Sequence, residues 1–322
     1  MPSGLPFERE IDEMEELLAK MESGTGNGQV TASEEVRRMR RELANLIRKV
    51  YGNLRSWDTV LVSRHKNRPQ TLDYIDMIFD DFVELHGDRA IGDDRAMRTG
   101  FARLADFRVM LVGHQKGHTL KERNECLYGC AHPEGYRKAL NKMRLAAKFR
   151  IPIICLIDTP GAYPGIGAEE RGQAQLIATN LLEMSRLATP IICVVIGEGG
   201  SGGALGIGIG DRVAMLEHAY YSVISPEGCA GILWKVATEE TKPMAAEALK
   251  LTARDLFRLR VIDAIIPEPL GGAHRDPRGM GSILKDYLLR YLRELRDLSV
   301  AELLDQRYQK FRAMGVFVEQ VI

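Results

Sequence analysis

The chain has 322 residues, 45% of them apolar and 27% charged, ordinary usage for a globular protein of one or two domains. Lys plus Arg and Asp plus Glu each number 44, so the balance calls for neither nucleic acid nor an anionic membrane surface. The longest apolar runs, residues 152–157 and 191–196, fall far short of the ~18 residues of a membrane span. The first 22 residues carry seven acidic and two basic side chains and no apolar stretch, unlike a secretory signal or a transit peptide. Five cysteines, with Cys155 and Cys193 inside apolar runs, point to reduced thiols and a cytoplasmic location. Cys126 and Cys130 lie close together, but no second pair completes a zinc ribbon, and no metal is expected.

Ile11, Met14, Leu17, Leu18 and Met21 recur at three-to-four spacing and predict a first helix. Residues 23–28, Ser-Gly-Thr-Gly-Asn-Gly, predict a flexible break. A second helix follows, capped by Thr31 or Ser33, with Glu34 and Glu35 in its first turn and a stripe from Val36 to Val50. The two read as a helical arm within residues 1–70, and Arg37, Arg38, Arg40 and Arg41 on it read as a solvated face. A third helix after Thr71 places Leu72, Ile75, Ile78, Phe79 and Phe82 on one side.

From about residue 98 the pattern changes. Residues 109–112, 151–157, 191–196 and 213–216 are short apolar runs of the kind that form buried strands. Helical segments at 134–149 and 168–187 lie between them, which predicts an α/β domain with a mostly parallel sheet over residues 71–322. Leu284, Leu288, Leu292 and Leu295 predict a C-terminal helix from Met280 onward.

The densest chemistry lies in residues 197–203, where five of seven residues are glycine after a buried strand. Such a loop lets the backbone approach a ligand with its amides outward, and a helix starting at Gly202 or Gly203 would add unpaired N–H groups. Gly197, Gly199 and Gly202 also spell a dinucleotide fingerprint, with Glu217 downstream. Residues 203–210 leave little room for the helix of that motif, and half of them are glycine. Ser201 stands at the centre of G-x-S-x-G, with Asp211, Asp263, His218 and His274 as possible partners of a nucleophile. The third reading is a backbone oxyanion hole at Gly202 and Gly203. A glycine-rich packing contact without a ligand is the plain alternative. Two further loops end strands: residues 158–172, shaped by Pro160, Gly161 and Pro164, and residues 222–230, where Pro226 suits the first turn of a helix.

These blocks carry a resemblance. Gly113-His-Gln-Lys-Gly117, Pro133-Glu-Gly-Tyr-Arg-Lys-Ala-Leu140, Ile157-Asp-Thr-Pro-Gly-Ala-Tyr-Pro-Gly165 and Gly167-Ala-Glu-Glu-Arg-Gly172 come first. Ile196-Gly-Glu-Gly-Gly-Ser-Gly-Gly-Ala-Leu205, Ser222-Val-Ile-Ser-Pro-Glu-Gly-Cys-Ala230 and Ile266-Pro-Glu-Pro-Leu-Gly-Gly-Ala-His-Arg275 follow in order. Together they resemble the alpha-subunit family of bacterial acetyl-coenzyme A carboxylase carboxyltransferases, of the crotonase-like superfamily. The chain departs from the family pattern at residues 126–130 and at Gly206.

The resemblance implies an α/β crotonase-like (ClpP/crotonase) fold with an N-terminal helical arm and C-terminal helices. It implies transfer of a carboxyl group from carboxybiotin, tethered to a biotin carboxyl carrier protein, onto acetyl-coenzyme A to give malonyl-coenzyme A for fatty acid synthesis. A beta subunit of the same fold, bearing a zinc ribbon, would complete an α₂β₂ enzyme, and biotin carboxylase would supply the carboxybiotin. By residue matching, Gly202 and Gly203 would donate backbone N–H groups to biotin. Gly161, Ala162, Ser225 and Pro226 would line the same cleft. Lys116, Arg171 and Lys235 could meet phosphates or a carboxylate, although structural or solvated roles suit them better. Carboxylases of other acyl-coenzyme A substrates share the fold, and a scaffold without activity is the remaining alternative.

Overall fold

A computed structural model of the protein describes residues 4–24 and 30–315. Eight strands form one sheet: β1 (Asp80–Glu84), β2 (Met97–Leu104), β3 (Phe107–His114), β4 (Ile153–Thr159), β5 (Ile191–Gly200), β6 (Arg212–Leu216), β7 (Tyr220–Ser222) and β8 (Ala264–Ile266). The order is β1-β2-β3-β4-β5-β6-β8, with β7 paired to the end of β5. β1 to β3 form an antiparallel meander, and every pairing from β3 onward is parallel. All four apolar runs fall on strands of this sheet. Every residue of β4 and β5 is buried, which is why both read as continuous apolar runs rather than alternating ones.

The helix Pro133–Lys148 crosses from β3 to β4 and packs on β2, β3 and the helix Gln173–Met184. The C-terminal helix Pro277–Arg296 buries Leu284, Leu288, Leu292 and Leu295, its expected stripe, and packs on the helix Thr71–Ile78 and on β8. The helix Val30–Tyr51 starts before both expected caps, so Thr31 and Ser33 lie inside it. It packs on the helix Arg9–Gly24, and the expected break at residues 23–28 falls largely outside the described residues. The next turn, Ser56–Ser63, contacts β5 and β7 directly, and Arg68 behind it is buried against the Ile196 carbonyl.

Three further boundaries differ from the sequence reading. The helix Thr71–Ile78 stops before Phe82, which belongs to β1, because Phe79 turns extended. The single helix expected over 168–187 is two, Ile166–Glu170 and Gln173–Met184, broken at Gly172 with φ +81. That left-handed step is one glycine accepts without the Cβ penalty other residues incur. The glycine-loop helix begins at Ser201, one residue ahead of the expected start, and spans Ser201–Leu205.

The helix Val300–Arg312 closes the far end of the sheet through Arg307 and through Lys310, which donates to the Gly210 and Asp211 carbonyls and to Asp263. Arg307 is buried and donates to both carboxylate oxygens of Asp211, at 2.8 and 2.7 Å. It also donates to the carbonyls of Met184, Leu187 and Thr189 at 2.8–2.9 Å. Asp211 in turn accepts the Ile191 amide at 2.7 Å, which sets the start of β5. Arg307→Met strands a buried carboxylate and three carbonyls, so we expect it to lower unfolding free energy by about 3–5 kcal/mol in urea melts at pH 7.

Candidate active site

Strands β4 and β5 run in register from Ile153↔Ile191 to Ile157↔Val195, then shift so that Thr159 faces Gly199. The Asp158 carboxylate sits in the gap, accepting the Glu198 amide at 2.9 Å. A Cβ on Gly197 would stand 2.5 Å from Asp158 Oδ1, so glycine is required where the carboxylate enters. Lys116, two residues past β3, places its ammonium 2.6 Å from Asp158 and 2.7 Å from Glu198. The other Glu198 oxygen accepts from Arg64 Nε at 2.6 Å and from the Tyr220 hydroxyl at 2.7 Å. Arg64 continues to Glu227 at 2.5 Å, and Arg68 pairs with Glu268 at 2.5 Å.

This network lies at the carboxyl ends of β4 and β5, the expected place for a site in an α/β sheet. Burial alone would raise the Glu198 carboxyl, but Lys116 and Arg64 outweigh it and hold it down to about 2. Burial works against the Lys116 ammonium as well, yet Asp158 and Glu198 keep it protonated above its ordinary range. Glu268 is likewise held down to about 2, the opposing effect of burial being overcome by Arg68.

Beyond the network the two strands turn over one another. A Cβ on Gly200 would lie 2.1 Å from the Pro160 carbonyl oxygen, and one on Gly203 would lie 2.5 Å from the Ala162 nitrogen. The two loops therefore touch backbone to backbone, and only glycine permits it. Gly161, Ala162, Ser201 and Gly202 border one open cavity of about 490 Å³. A Cβ on Gly202 would meet the Ile177 side chain at 3.6 and 3.9 Å, ordinary contact distances that leave room for it. Among the described residues no acceptor receives the Gly202 or Gly203 amide. The cavity thus presents a free backbone donor, with Tyr163, Gln173, Gln175 and Ile177 among its other lining residues, which suits an oxygen that gains negative charge.

Not every expected residue joins this cavity. Gly203 is buried behind it, against Ala162. The Ser225 hydroxyl caps the helix Pro226–Leu233, accepting the Gly228 amide at 3.1 Å, and Pro226 is buried in its first turn. Neither borders the cavity. Lys116 is committed to two carboxylates, and Arg171 to Glu134 at 2.6 Å and the Gly167 carbonyl at 2.5 Å. Lys235 is exposed, with φ +62. Asp158, Glu198 and Arg64 escaped the sequence reading as a cluster. Their one signal is carboxylates standing inside otherwise apolar or glycine-rich strand ends.

Ser201 has the left-handed backbone, φ +51, of a strand-to-helix elbow, but the partners of a nucleophile are elsewhere. Asp211 is held by Arg307, and Asp263 accepts the Val213 amide and Lys310. His218 lies against Tyr51 and His274 against His65. No histidine borders the cavity. The serine hydrolase reading fails on that geometry.

The carboxylate network also generates a pH expectation. Glu198 and Glu268 titrate near 4.3 in an unfolded chain, roughly, and lower when folded. Their contribution to stability is therefore complete above about pH 5 and lost as pH falls toward about 2. Urea melts of Glu198→Gln should show lower stability at pH 7 and a flatter decline below pH ~5 than the unaltered chain.

Residues 4–315 match the family described as acetyl co-enzyme A carboxylase carboxyltransferase-like. The chain is 59% identical over 317 residues to the acetyl-coenzyme A carboxylase carboxyl transferase subunit alpha of Rhodopirellula baltica, covering 98% of both. It is 52% identical to the subunit of the same name from Methylococcus capsulatus, again over 98% of both. Among solved structures it is similar to the transcarboxylase 12S core (TM-score 0.54, 23% identity, 69% of this chain and 42% of that one). It is similar also to the beta subunit of Pseudomonas aeruginosa geranyl-CoA carboxylase (TM-score 0.54, 15% identity, 83% and 47%). The chain spans less than half the length of either, and at these identities the likeness speaks for the crotonase-like fold alone. With its whole described length matched and its curated relatives more than half identical, the chain belongs to the acetyl-coenzyme A carboxylase carboxyltransferase alpha-subunit family.

Proposed function

We propose that this chain is the alpha half of a biotin-dependent carboxyltransferase that moves a carboxyl group from carboxybiotin to acetyl-coenzyme A, giving malonyl-coenzyme A. The observation that carries the reading is the free Gly202 amide on a cavity walled by Gly161 and Ala162. Biotin, brought by a carrier protein, would supply both the carboxyl group and, after losing it, a base for the acetyl methyl group. The residues present fit it: an oxygen entering the cavity meets an N–H with no competing acceptor. Gly202 would donate to the ureido oxygen, and the Gly203 amide behind it would strengthen the same positive end. Gly161 and Ala162 would shape the wall that limits water. Ser225 and Pro226 would act one step removed, through β7, whose Ser222 pairs with Gly200.

A single glycine turn serves one oxyanion, whereas the reaction forms two, at biotin and at the thioester. The second hole, the coenzyme A contacts and the zinc ribbon would belong to a beta subunit, in an α₂β₂ assembly. The biotin carboxyl carrier protein and biotin carboxylase would complete the cycle, in the cytoplasm. No helix among the described residues is long and apolar enough to cross a membrane. Residues 1–70 would serve as an arm.

The test is co-purification with a co-expressed beta subunit, followed by assay of malonyl-coenzyme A decarboxylation with free biotin. Activity in the complex and none in the chain alone is expected; transfer by the chain alone would sink the two-subunit reading. Within that complex, Gly202→Val should lower kcat by at least ~10²-fold with assembly intact, because its Cβ fits at contact distance from Ile177 while the branched side chain crowds the donor. Ser201→Ala should keep kcat within ~10-fold, since the serine hydroxyl carries no transferred group. An adduct of a phosphonylating reagent on Ser201, with loss of activity, would reverse that assignment.

A further inference from the structure

The segment Pro133-Glu-Gly-Tyr-Arg-Lys-Ala-Leu140 takes no part in the mechanism above, yet its helix holds both walls of the cavity. Glu134 grips Arg171, which donates to the Gly167 carbonyl and so ties down the loop that follows Gly161 and Ala162. On the other wall, the Tyr136 hydroxyl donates to the Gly203 carbonyl at 3.1 Å. Asn180, on the helix Gln173–Met184, donates from one amide nitrogen to the Tyr136 carbonyl at 3.1 Å and to the Gly206 carbonyl at 2.9 Å. A Cβ on Gly206 would stand 2.5 Å from the Tyr136 ring, so the ring rests directly on the turn.

Tyr136 and Asn180 are both fully buried, 0% exposed. A buried polar group costs free energy unless bonded, and phenylalanine would fill the same space without a hydroxyl to satisfy. What the two polar groups share is the glycine turn. The Gly202 carbonyl accepts the Gly206 amide at 2.9 Å, which closes the turn between the two residues and restrains the Gly202–Gly203 peptide plane. In a trans peptide the carbonyl of one residue and the N–H of the next share a plane, so the bond to the Gly203 carbonyl fixes the Gly203–Ala204 plane, the one directly after it.

We propose that Tyr136 is a positioning residue for carboxyl transfer: its hydroxyl on the Gly203 carbonyl and its ring against Gly206, with Asn180 on the Gly206 carbonyl, hold in place the turn that presents the Gly202 amide to the reacting oxygen. It touches no substrate and acts through the turn. The proposal rests on the carboxyltransferase reading. A donor pair gains its effect from being fixed before the charge develops, and a looser turn forfeits part of it.

The experiment compares Tyr136→Phe with Tyr74→Phe in the co-expressed complex, measuring kcat and KM for malonyl-coenzyme A decarboxylation with free biotin. Tyr74 is the control because its buried hydroxyl has no hydrogen-bond partner, so the same atom is removed away from the turn. Tyr136→Phe should lower kcat about tenfold with KM for malonyl-coenzyme A within about twofold, while Tyr74→Phe keeps the wild-type kcat. A Tyr136→Phe complex with the kcat of wild type or of Tyr74→Phe overturns the proposal, whatever its melting temperature. Should Tyr136→Phe fail to assemble, Asn180→Ala decides by the same criteria. An inactive wild-type complex would bring down the carboxyltransferase reading and this proposal with it; an active wild type with a fully active Tyr136→Phe brings down the proposal alone.

Discussion

The Asp158 carboxylate, wedged between the ends of two neighbouring parallel strands, is the contact on which the site depends. Its bond to the Glu198 amide replaces a ladder bond and forces the register of β4 and β5 to shift. Once shifted, the strands no longer pair flat; their continuations, residues 160–162 and 200–203, fold over one another at backbone distance. A carboxylate in that position would be costly without compensation. Lys116 provides it, and because Lys116 also reaches Glu198, one cation neutralises the ends of both strands. The glycines at 197, 200 and 203 follow from this geometry, since each is a point where a Cβ would strike Asp158 or the facing loop.

The charges around Glu198 do more than cancel. Arg64 comes from the segment after the N-terminal helices, Lys116 from the end of β3, Tyr220 from β7, and Glu227 from the helix after it. Four separate stretches of chain thus meet at one strand end. Buried ion pairs add little net stability over well-packed apolar groups, but removing one partner is expensive, so they penalise alternative arrangements. The network therefore acts chiefly to fix where the strand stops and the turn begins.

The strands, the leucine stripe of the C-terminal helix and the helix Pro133–Lys148 were legible because periodicity and apolar runs are local signals. The glycine density at 197–203 was legible as a close approach, though not as to what it approached. The ion network was not legible: Glu198 lies 134 residues from Arg64 and 82 from Lys116, and such pairs announce themselves only when the sheet brings them together. Pattern also missed the break at Gly172, where a left-handed residue splits an otherwise continuous helical stripe. Of the candidate site, Gly202, Gly161 and Ala162 meet at one cavity as grouped from resemblance, while Ser225 and Pro226 are spent on a helix cap and first turn. A serine before proline at a helix start is capping chemistry, and that reading was available from the sequence alone.

The proposed site of amides has no side chain to adjust, so its accuracy would come from the strand that delivers it. β5 is pinned at both ends. At its start, Asp211 accepts the Ile191 amide while Arg307 holds that carboxylate and ties it to the preceding turn. At its far end, Glu198 is held by Lys116, Arg64 and Tyr220. Between the two anchors every residue is buried, leaving the strand no room to slide. A register slip would break both charged clusters together and exchange the side chains packed on the two buried faces of the strand. The strand therefore ends at a fixed point, and the short turn after it inherits that position, with Ser201 in a left-handed conformation as the step that redirects the chain. Because the amides of the turn are set by the backbone ahead of and behind them, substitutions far from the cavity, at Arg307 or Lys116, would act on the same proposed donors as substitutions at its rim.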